Sequence, residues 1–318
     1  MAVIAVTGAT GFVGSTVAEV LGQHGHRVIG LVRSAGAYPW ESHVVDFAGQ
    51  ESIAAALAGA DAVVHCAIAN DFHMLTRDRY GAYDAYVGLT QRVVRAAESV
   101  GAQSIYVSSD WVHDGLGHLV AEDMPANPLN IYGVLKALSE QVVLDLATDG
   151  AVVRIGGVMG QHRLRDVGPR SQDVGFGYFV ASLVRALQSG ERFAVWGGDN
   201  VNEVATPSLA SEIGAGISRI ATRRAAGHFN LVCDDAVSRL ELAYATCDAF
   251  DLNRTQILES PVPESERFPA LVPRDTSMSC AVTRQRLGLA PASLAQVLGA
   301  FRAELETGTV NPLTTTAS

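Results

Sequence analysis

The chain has 318 residues, of which 48% are hydrophobic and 18% charged, and its formal net charge is −10. That length and apolar share are enough for a sizeable core in one large domain or two lobes. The acidic balance, with no basic run, excludes a nucleic-acid partner, because binding a polyanion needs clustered cations.

The first segment, MAVIAVTGATG, has no charged leader and turns glycine-rich before a membrane-length apolar stretch can build up. A cytoplasmic chain with neither signal peptide nor membrane span is therefore expected. Apolar, β-branched runs follow at 2–6, 27–32, 43–45, 62–66, 104–109 and 151–155, with amphipathic stretches such as STVAEVLGQHG and AYVGLTQRVVRAAESVG between them. Strands alternating with helices predict right-handed crossovers and an α/β, Rossmann-type, doubly wound parallel sheet. Residues 1–160 are read as the dinucleotide-binding domain. After residue 156 the alternation stops, so 161–203 and 234–307 are assigned to a smaller substrate-binding lobe, with 204–233 returning to the sheet. Residues 308–318 read as a disordered tail. Cys66, Cys233, Cys247 and Cys280 are widely spaced, with no C-x-x-C pair and no histidine at ligand spacing, so neither a disulfide nor a metal site is expected.

TGATGFVG, from Thr7 to Gly14, ends the first strand and opens a helix. Gly8 permits the tight turn, Gly11 lets backbone approach a pyrophosphate, and Gly14 allows close packing of helix on sheet; Phe12 and Val13 lie between them in the cofactor-binding turn. An NAD site usually carries an acid at the end of the second strand, whereas here Arg33 follows Val32. A guanidinium pairs with a 2′-phosphate and a carboxylate repels it, which favours NADP(H) over NAD(H); the alternative is a solvated surface arginine. Asp46 suits the adenine amino group and Phe47 its ring, although an aspartate just past a strand is equally an ordinary turn residue. Ala67, after the fourth strand, and Ile155, ending the sixth, complete the expected cofactor contacts.

Of 23 Lys and Arg residues only Lys136 is lysine, and it stands four residues after Tyr132. A phenol titrates near 10 and is a poor proton donor or acceptor at neutral pH unless a positive charge stabilises its phenolate. A lysine one helical turn later shares the same face and can supply that charge. Its compact ammonium can also reach two ribose hydroxyls, which the fixed fork of arginine does poorly. Ser109 in VSSDWVHDG falls at the end of a predicted strand, where open α/β sheets place their ligands, and can donate a hydrogen bond to a carbonyl oxygen.

With TGATGFVG, VVHCA, VSSDWVHDG, NPLNIYGVLK, VVRIGGVMG and GHFNLV in this order, the chain resembles the extended short-chain dehydrogenase/reductase family over nearly its whole length. Among its branches it is most similar to the 4-keto-sugar reductases acting on dTDP-4-dehydrorhamnose and its relatives. The resemblance implies Tyr132 as general acid, Lys136 orienting the ribose and lowering the Tyr132 pKa, and Ser109 polarising the carbonyl. It implies reduction of a keto group on a nucleotide-linked deoxysugar by NADPH, with an epimerase of the same family or an NADP-binding regulatory subunit without turnover as alternatives. Asp110, Trp111, Arg163 and Asn202 are the expected substrate contacts; Arg163, with Arg165 and Arg170, either grips a diphosphate or is a solvated loop charge. His65, His113 and His118 are read as structural. A homodimer through 80–100 and 130–149 is implied as well. The chain departs from the family pattern at Tyr86, where Asn is usual, at Val272, where Arg is usual, and at Leu135, where Ser is usual.

Overall fold

The computed structural model describes residues 1–68, 74–164 and 172–313. Strands β1 (Val3–Thr7), β2 (Arg27–Val32), β3 (Glu41–Val44), β4 (Ala62–His65), β5 (Gln103–Ser109), β6 (Ala151–Ile155) and β7 (Gly227–Asn230) form one sheet. Its order is β7-β6-β5-β4-β1-β2-β3, and every pairing is parallel. The order reverses between β1 and β4, which is where a doubly wound sheet opens its ligand crevice.

The helices of seven or more residues are α1 (Phe12–Gln23), α2 (Gln50–Ala56), α3 (Leu89–Val100), α4 (Ile131–Leu146), α5 (Phe179–Gln188), α6 (Ala210–Arg223), α7 (Arg239–Ala249), α8 (Ala281–Leu287) and α9 (Leu294–Thr307). Alternate residues of a strand point to opposite faces, and both faces of this sheet are covered. Ile4 and Val6 of β1 meet Val17 and Leu21 of α1 and Ile213 and Ile217 of α6 on one side. Ala5 and Ile29 meet Ile53 of α2 and Val93 and Ala97 of α3 on the other. Burial on both faces is why these strands read as continuous apolar runs. β3 is the exception: it lies at the sheet edge, its residues are half-exposed to exposed, and it spans 41–44 where the apolar run suggested 43–45.

A second core lies outside the sheet, built from Phe176, Phe179, Leu183, Phe193, Leu242, Leu298 and Phe301. It unites α5, α7 and α9 into a separate lobe. Of the segment expected to fray, 308–318, residues 314–318 lie outside the described residues, and the rest is docked: Val310 packs with Val20 and Ala215, its carbonyl accepts from Gln23 Nε2, and the Leu313 amide donates to Glu212. The apolar side chain of Val310 gives this tail a reason to stay bound. Among the described residues no helix is long and apolar enough to cross a membrane.

Candidate active site

At the end of β1, Gly8 adopts φ +66°, a left-handed conformation that side chains disfavour. A Cβ at Gly14 would lie 2.2 Å from the Gly8 carbonyl oxygen, so the first turn of α1 sits on the loop as only glycine allows. Gly11 caps α1 without a side-chain hydrogen bond, and no acid stands in the first turn. The opening amides, including those of Phe12 and Val13, therefore have neither an intrahelical partner nor a capping side chain, and with the helix dipole they fit a pyrophosphate. Thr7 Oγ1 holds the rim together, bonding His65 Nδ1 at 2.7 Å and accepting from the Ala67 amide at 3.3 Å.

Arg33 stands exposed just past β2, and among the described residues nothing pairs with it. Asp46 is exposed and its carboxylate accepts from the Ala48 amide at 3.0 Å, so it makes the turn contact as well. Phe47 is half-buried against the core under α2 and α3, and its carbonyl takes Arg92 Nε at 2.9 Å. Ile155 is the register partner of Ser109. Gly8, Ala67, Ser109, Ile155 and Arg33 thus share the carboxyl edge of the sheet.

Asn130 caps α4, its Oδ1 accepting from the Gly133 amide at 3.0 Å. A Cβ at Gly133 would be 2.2 Å from the Trp111 carbonyl oxygen. This close approach seats Tyr132 beside the Ser109–Val112 turn. The Tyr132 ring is flanked edge-on by Trp111 (5.9 Å between centroids, 82°) and by Tyr86 (6.1 Å, 88°). Tyr86 belongs to a π-helical turn, Asp84–Gly88, the kind of irregular turn that often marks a functional site. The aromatic at the usual Asn position is therefore packed against the Tyr132 phenol.

Burial pushes the Tyr132 phenol up to about 12; a hydrogen bond with Ser109 works against this, and the negative charges of Asp110 and Asp173 add to it. The structure differs here from the expectation that Lys136 lowers the phenol. Lys136 Nζ instead donates to the Val107 carbonyl at 2.9 Å and lies 4.9 Å from the Tyr106 ring centre. Burial brings the ammonium itself down to about 8, opposed by Cys66 and Glu140.

Ser109 Oγ donates to Asp110 Oδ1 at 2.9 Å and accepts from the Trp111 amide at 3.2 Å. Asp110 is only 4% exposed, so it supports Ser109 and does not present a free carboxylate to solvent. Trp111 is buried as well, with Phe268 edge-on at 5.4 Å and Val174, Trp196, Val201, Val262 and Val272 around it. Val272, the position where arginine was expected, is part of that apolar wall. Asn202 is fully buried and bonds the Val204 and Arg274 carbonyls and the Thr276 hydroxyl. It reaches the site only through Thr276.

Arg163 is directed elsewhere: Nε and Nη2 pair with Glu19 of α1 at 2.6 and 3.0 Å, and Nη2 also takes the Gly308 carbonyl. This ion pair fits neither alternative read from the sequence, a diphosphate grip or a solvated loop charge, because the guanidinium is taken up by Glu19. Arg165 and Arg170 lie outside the described residues. Arg274 pairs with Glu203 at 2.6 Å. His65 and His113 are buried, and His118 pairs with Asp275 at 2.8 Å. Burial and the Lys136 charge hold His65 down at about 3, so it is neutral.

Thr276 and Phe268 were not anticipated. Thr276 lies in the stretch LVPRDTSMS (271–279) beside Val272, and its contact with Asp110, 166 residues away in sequence, left no local signal. Among the described residues no three His, Cys, Asp or Glu side chains converge on a metal-sized site.

A family model described as the RmlD substrate binding domain matches residues 1–306. A relative from Haloferax volcanii, "Probable low-salt glycan biosynthesis reductase Agl14", is 26% identical over 303 residues, covering 94% of this chain and 96% of the relative. Methionine adenosyltransferase 2 subunit beta of Bos taurus is 27% identical over 284 residues, covering 87% and 80%. Among solved structures, dTDP-4-dehydrorhamnose reductase of Bacillus anthracis in complex with NADP superposes with a TM-score of 0.76 at 20% identity, covering 96% of this chain and 99% of that one. At that identity the likeness speaks for the fold, and the seven-stranded sheet described above agrees with it.

Proposed function

Because the chain belongs to the RmlD substrate binding domain family, we propose that it is an NADPH-dependent reductase of a keto group on a nucleotide-linked deoxysugar. The observation that carries this reading is the meeting of Ser109 and Tyr132 at the carboxyl edge of the sheet, with Lys136 one turn along the same helix and an uncapped glycine turn at the end of β1.

When bound, the nicotinamide cofactor supplies the hydride. The amides of Phe12 and Val13 would hold its pyrophosphate while Gly11, whose own amide is bonded to the Gly8 carbonyl, lets the backbone come close; Arg33 would pair with a 2′-phosphate, Asp46 and Phe47 flank the adenine, and Ala67 and Ile155 line the crevice. Lys136 orients ribose hydroxyls. Ser109 would turn its hydroxyl to the substrate carbonyl oxygen, and Tyr132 would give that oxygen its proton. Trp111 and Phe268 form an aromatic wall beside Tyr132 that suits the less hydroxylated face of a deoxysugar. In this reading residues 1–160 with 204–233 serve the cofactor, 161–203 and 234–307 serve the substrate, and the enzyme works in the cytoplasm.

The test is substrate-dependent NADPH oxidation with dTDP-4-dehydrorhamnose, alongside cofactor binding to Arg33→Ala. Losing a charge-assisted bidentate contact should weaken NADPH binding by about 10–100-fold and leave NADH unchanged. Equal losses for both cofactors would remove Arg33 from the 2′-phosphate site.

A second reading is favoured by the bovine relative, which bears the name of a subunit: an NADP-binding regulatory chain without turnover. NADPH binding with no oxidation on any dTDP- or UDP-sugar would support it over the reductase, and redox-neutral interconversion of sugars would support the epimerase. The assembly we propose is a homodimer through 80–100 and 130–149, where Tyr80 is 92% exposed and Val134 and Leu138 face outward from α4. Sedimentation velocity should give a dimer, and Leu138→Arg should shift it to monomer; a wild-type monomer at all concentrations rules the contact out.

A further inference from the structure

The buried Asn202 amide spends both of its hydrogens on backbone, donating from Nδ2 to the carbonyls of Val204 and Arg274 at 3.0 Å each. These two acceptors fix its orientation, since the flipped amide would set Oδ1 against two carbonyl oxygens. Oδ1 therefore faces the Thr276 hydroxyl at 3.0 Å, and that same hydroxyl oxygen lies 2.6 Å from Asp110 Oδ2. A hydroxyl carries one hydrogen. If Thr276 gives it to Asp110, Asn202 Oδ1 is left buried with no donor among the described residues and confronts a bare oxygen. If Thr276 gives it to Asn202, its own oxygen needs a donor on the other side, and a hydrogen on Asp110 Oδ2 supplies one. The nearby Gly156 amide cannot, because it is bonded to Ser208. Only the second arrangement satisfies every buried polar atom of the chain from Asn202 to Asp110.

We propose that Thr276 and Asn202 are positioning residues that keep a proton on Asp110 Oδ2 at neutral pH, so that the group supporting Ser109 is a carboxylic acid and not a carboxylate. This rests on the reading of Ser109 and Tyr132 as the reductase site. Asp110 Oδ1 accepts the Ser109 hydroxyl, and a carboxylate would hold that hydroxyl about twice as strongly as a neutral acceptor does. The neutral acid lets Ser109 turn to a substrate carbonyl. It also removes a negative charge that pushes the Tyr132 phenol up, keeping Tyr132 the better proton donor.

The surrounding charges are consistent with this. From α4 the titratable neighbour is Tyr132. From the second lobe Asp173 acts on the same phenol, with the Arg239 guanidinium beside it and bonded to the Asp173 carbonyl. In the loops bearing Asn202 and Thr276, Glu203 and Arg274 pair with each other, and Asp275 pairs with His118. Among the described residues no cation faces Asp110 to stabilise its anion. Burial already pushes the carboxyl up to about 6 against opposing hydrogen bonds from Thr276, Ser109 and the backbone amides of Asp110 and Trp111. A Thr276 hydroxyl that accepts no longer opposes.

The experiment is 13C NMR of the aspartate carboxyls in the full chain without cofactor or substrate, with Asp110 assigned by its loss in Asp110→Asn. Asp110 should be protonated at pH 7. Thr276→Val and Asn202→Leu should each lower its midpoint by about one pH unit, the first by removing the acceptor of its proton and the second by freeing Thr276 to donate. Thr276→Ser, which keeps the hydroxyl, should match the wild type. An ionised Asp110 at pH 7 overturns the proposal, as does a midpoint that rises in Thr276→Val, the sign expected if the hydroxyl donates to a carboxylate. The wild-type resonance decides alone if a variant does not fold. Failure of the reductase reading would instead appear as absent NADPH turnover with this titration unchanged.

Discussion

Tyr132→Phe is expected to lower substrate-dependent NADPH oxidation by about 10²–10⁴-fold, the usual worth of a positioned general acid. The ring contacts with Trp111 and Tyr86 survive in phenylalanine, so the thermal midpoint and the NADPH affinity should stay close to wild type. Loss should appear in kcat and kcat/KM together, because the proton is transferred only in the transition state. Burial holds the phenol up at about 12, so Tyr132 carries its proton throughout the neutral range and no phenol titration should limit the rate there. Equal oxidation rates in variant and wild type would take Tyr132 out of the chemistry and leave the regulatory reading standing.

Glu140→Ala is expected to destabilise the fold by about 3–5 kcal/mol, because it strands a buried guanidinium. Arg154 on β6 is 1% exposed, and its Nε and Nη2 bond both oxygens of Glu140 at 3.0 and 2.8 Å. Its remaining Nη1 reaches His113 and the carbonyls of Glu122 and Met124. The pair ties α4, the helix that carries Tyr132 and Lys136, to the sheet. Burial alone would push the Glu140 carboxyl up, but His228 and Arg154 outweigh it and bring the group down to about 2 from 4.5.

A depressed carboxylate stabilises the fold fully above its unfolded pKa, near 4.5. That contribution is lost as pH falls from there toward about 2. Urea midpoints of the wild type should therefore drop steeply over this window, and those of a Glu140→Leu/Arg154→Met double variant should drop less. The double variant should also recover most of what Glu140→Ala loses, since an apolar pair leaves no stranded charge. A single variant within about 1 kcal/mol of wild type would show that water reaches the pair.

The parallel sheet was legible because its strands are buried on both faces and so declare themselves as apolar runs, as at Ile4, Val63 and Val153. The edge strand β3 was read two residues late because one side of it lacks a neighbour and its residues are partly exposed. The polarity of TGTVNPL reads as a fraying tail, yet the buried Val310 side chain and the backbone bonds of residues 310 and 313 dock it. In the candidate site, the placement of Ser109, Tyr132 and Lys136 was legible because it follows local geometry: a strand end for one, a single helical turn for the other two. The fate of Arg163 was not, since Glu19 lies 144 residues away in sequence.

The sequence by itself determined the doubly wound sheet, the glycine turn and the spacing of Tyr132 and Lys136, because periodicity and backbone sterics act over a few residues. Only the tertiary structure decided how charges and protons are shared. It turned the Lys136 ammonium to the Val107 carbonyl, paired Arg163 with Glu19, set Tyr86 against Tyr132, and brought Thr276 to Asp110. Hydrogen bonds and electrostatic shifts depend on distance and burial in three dimensions, and for partners a hundred or more residues apart neither is written in the spacing of the chain.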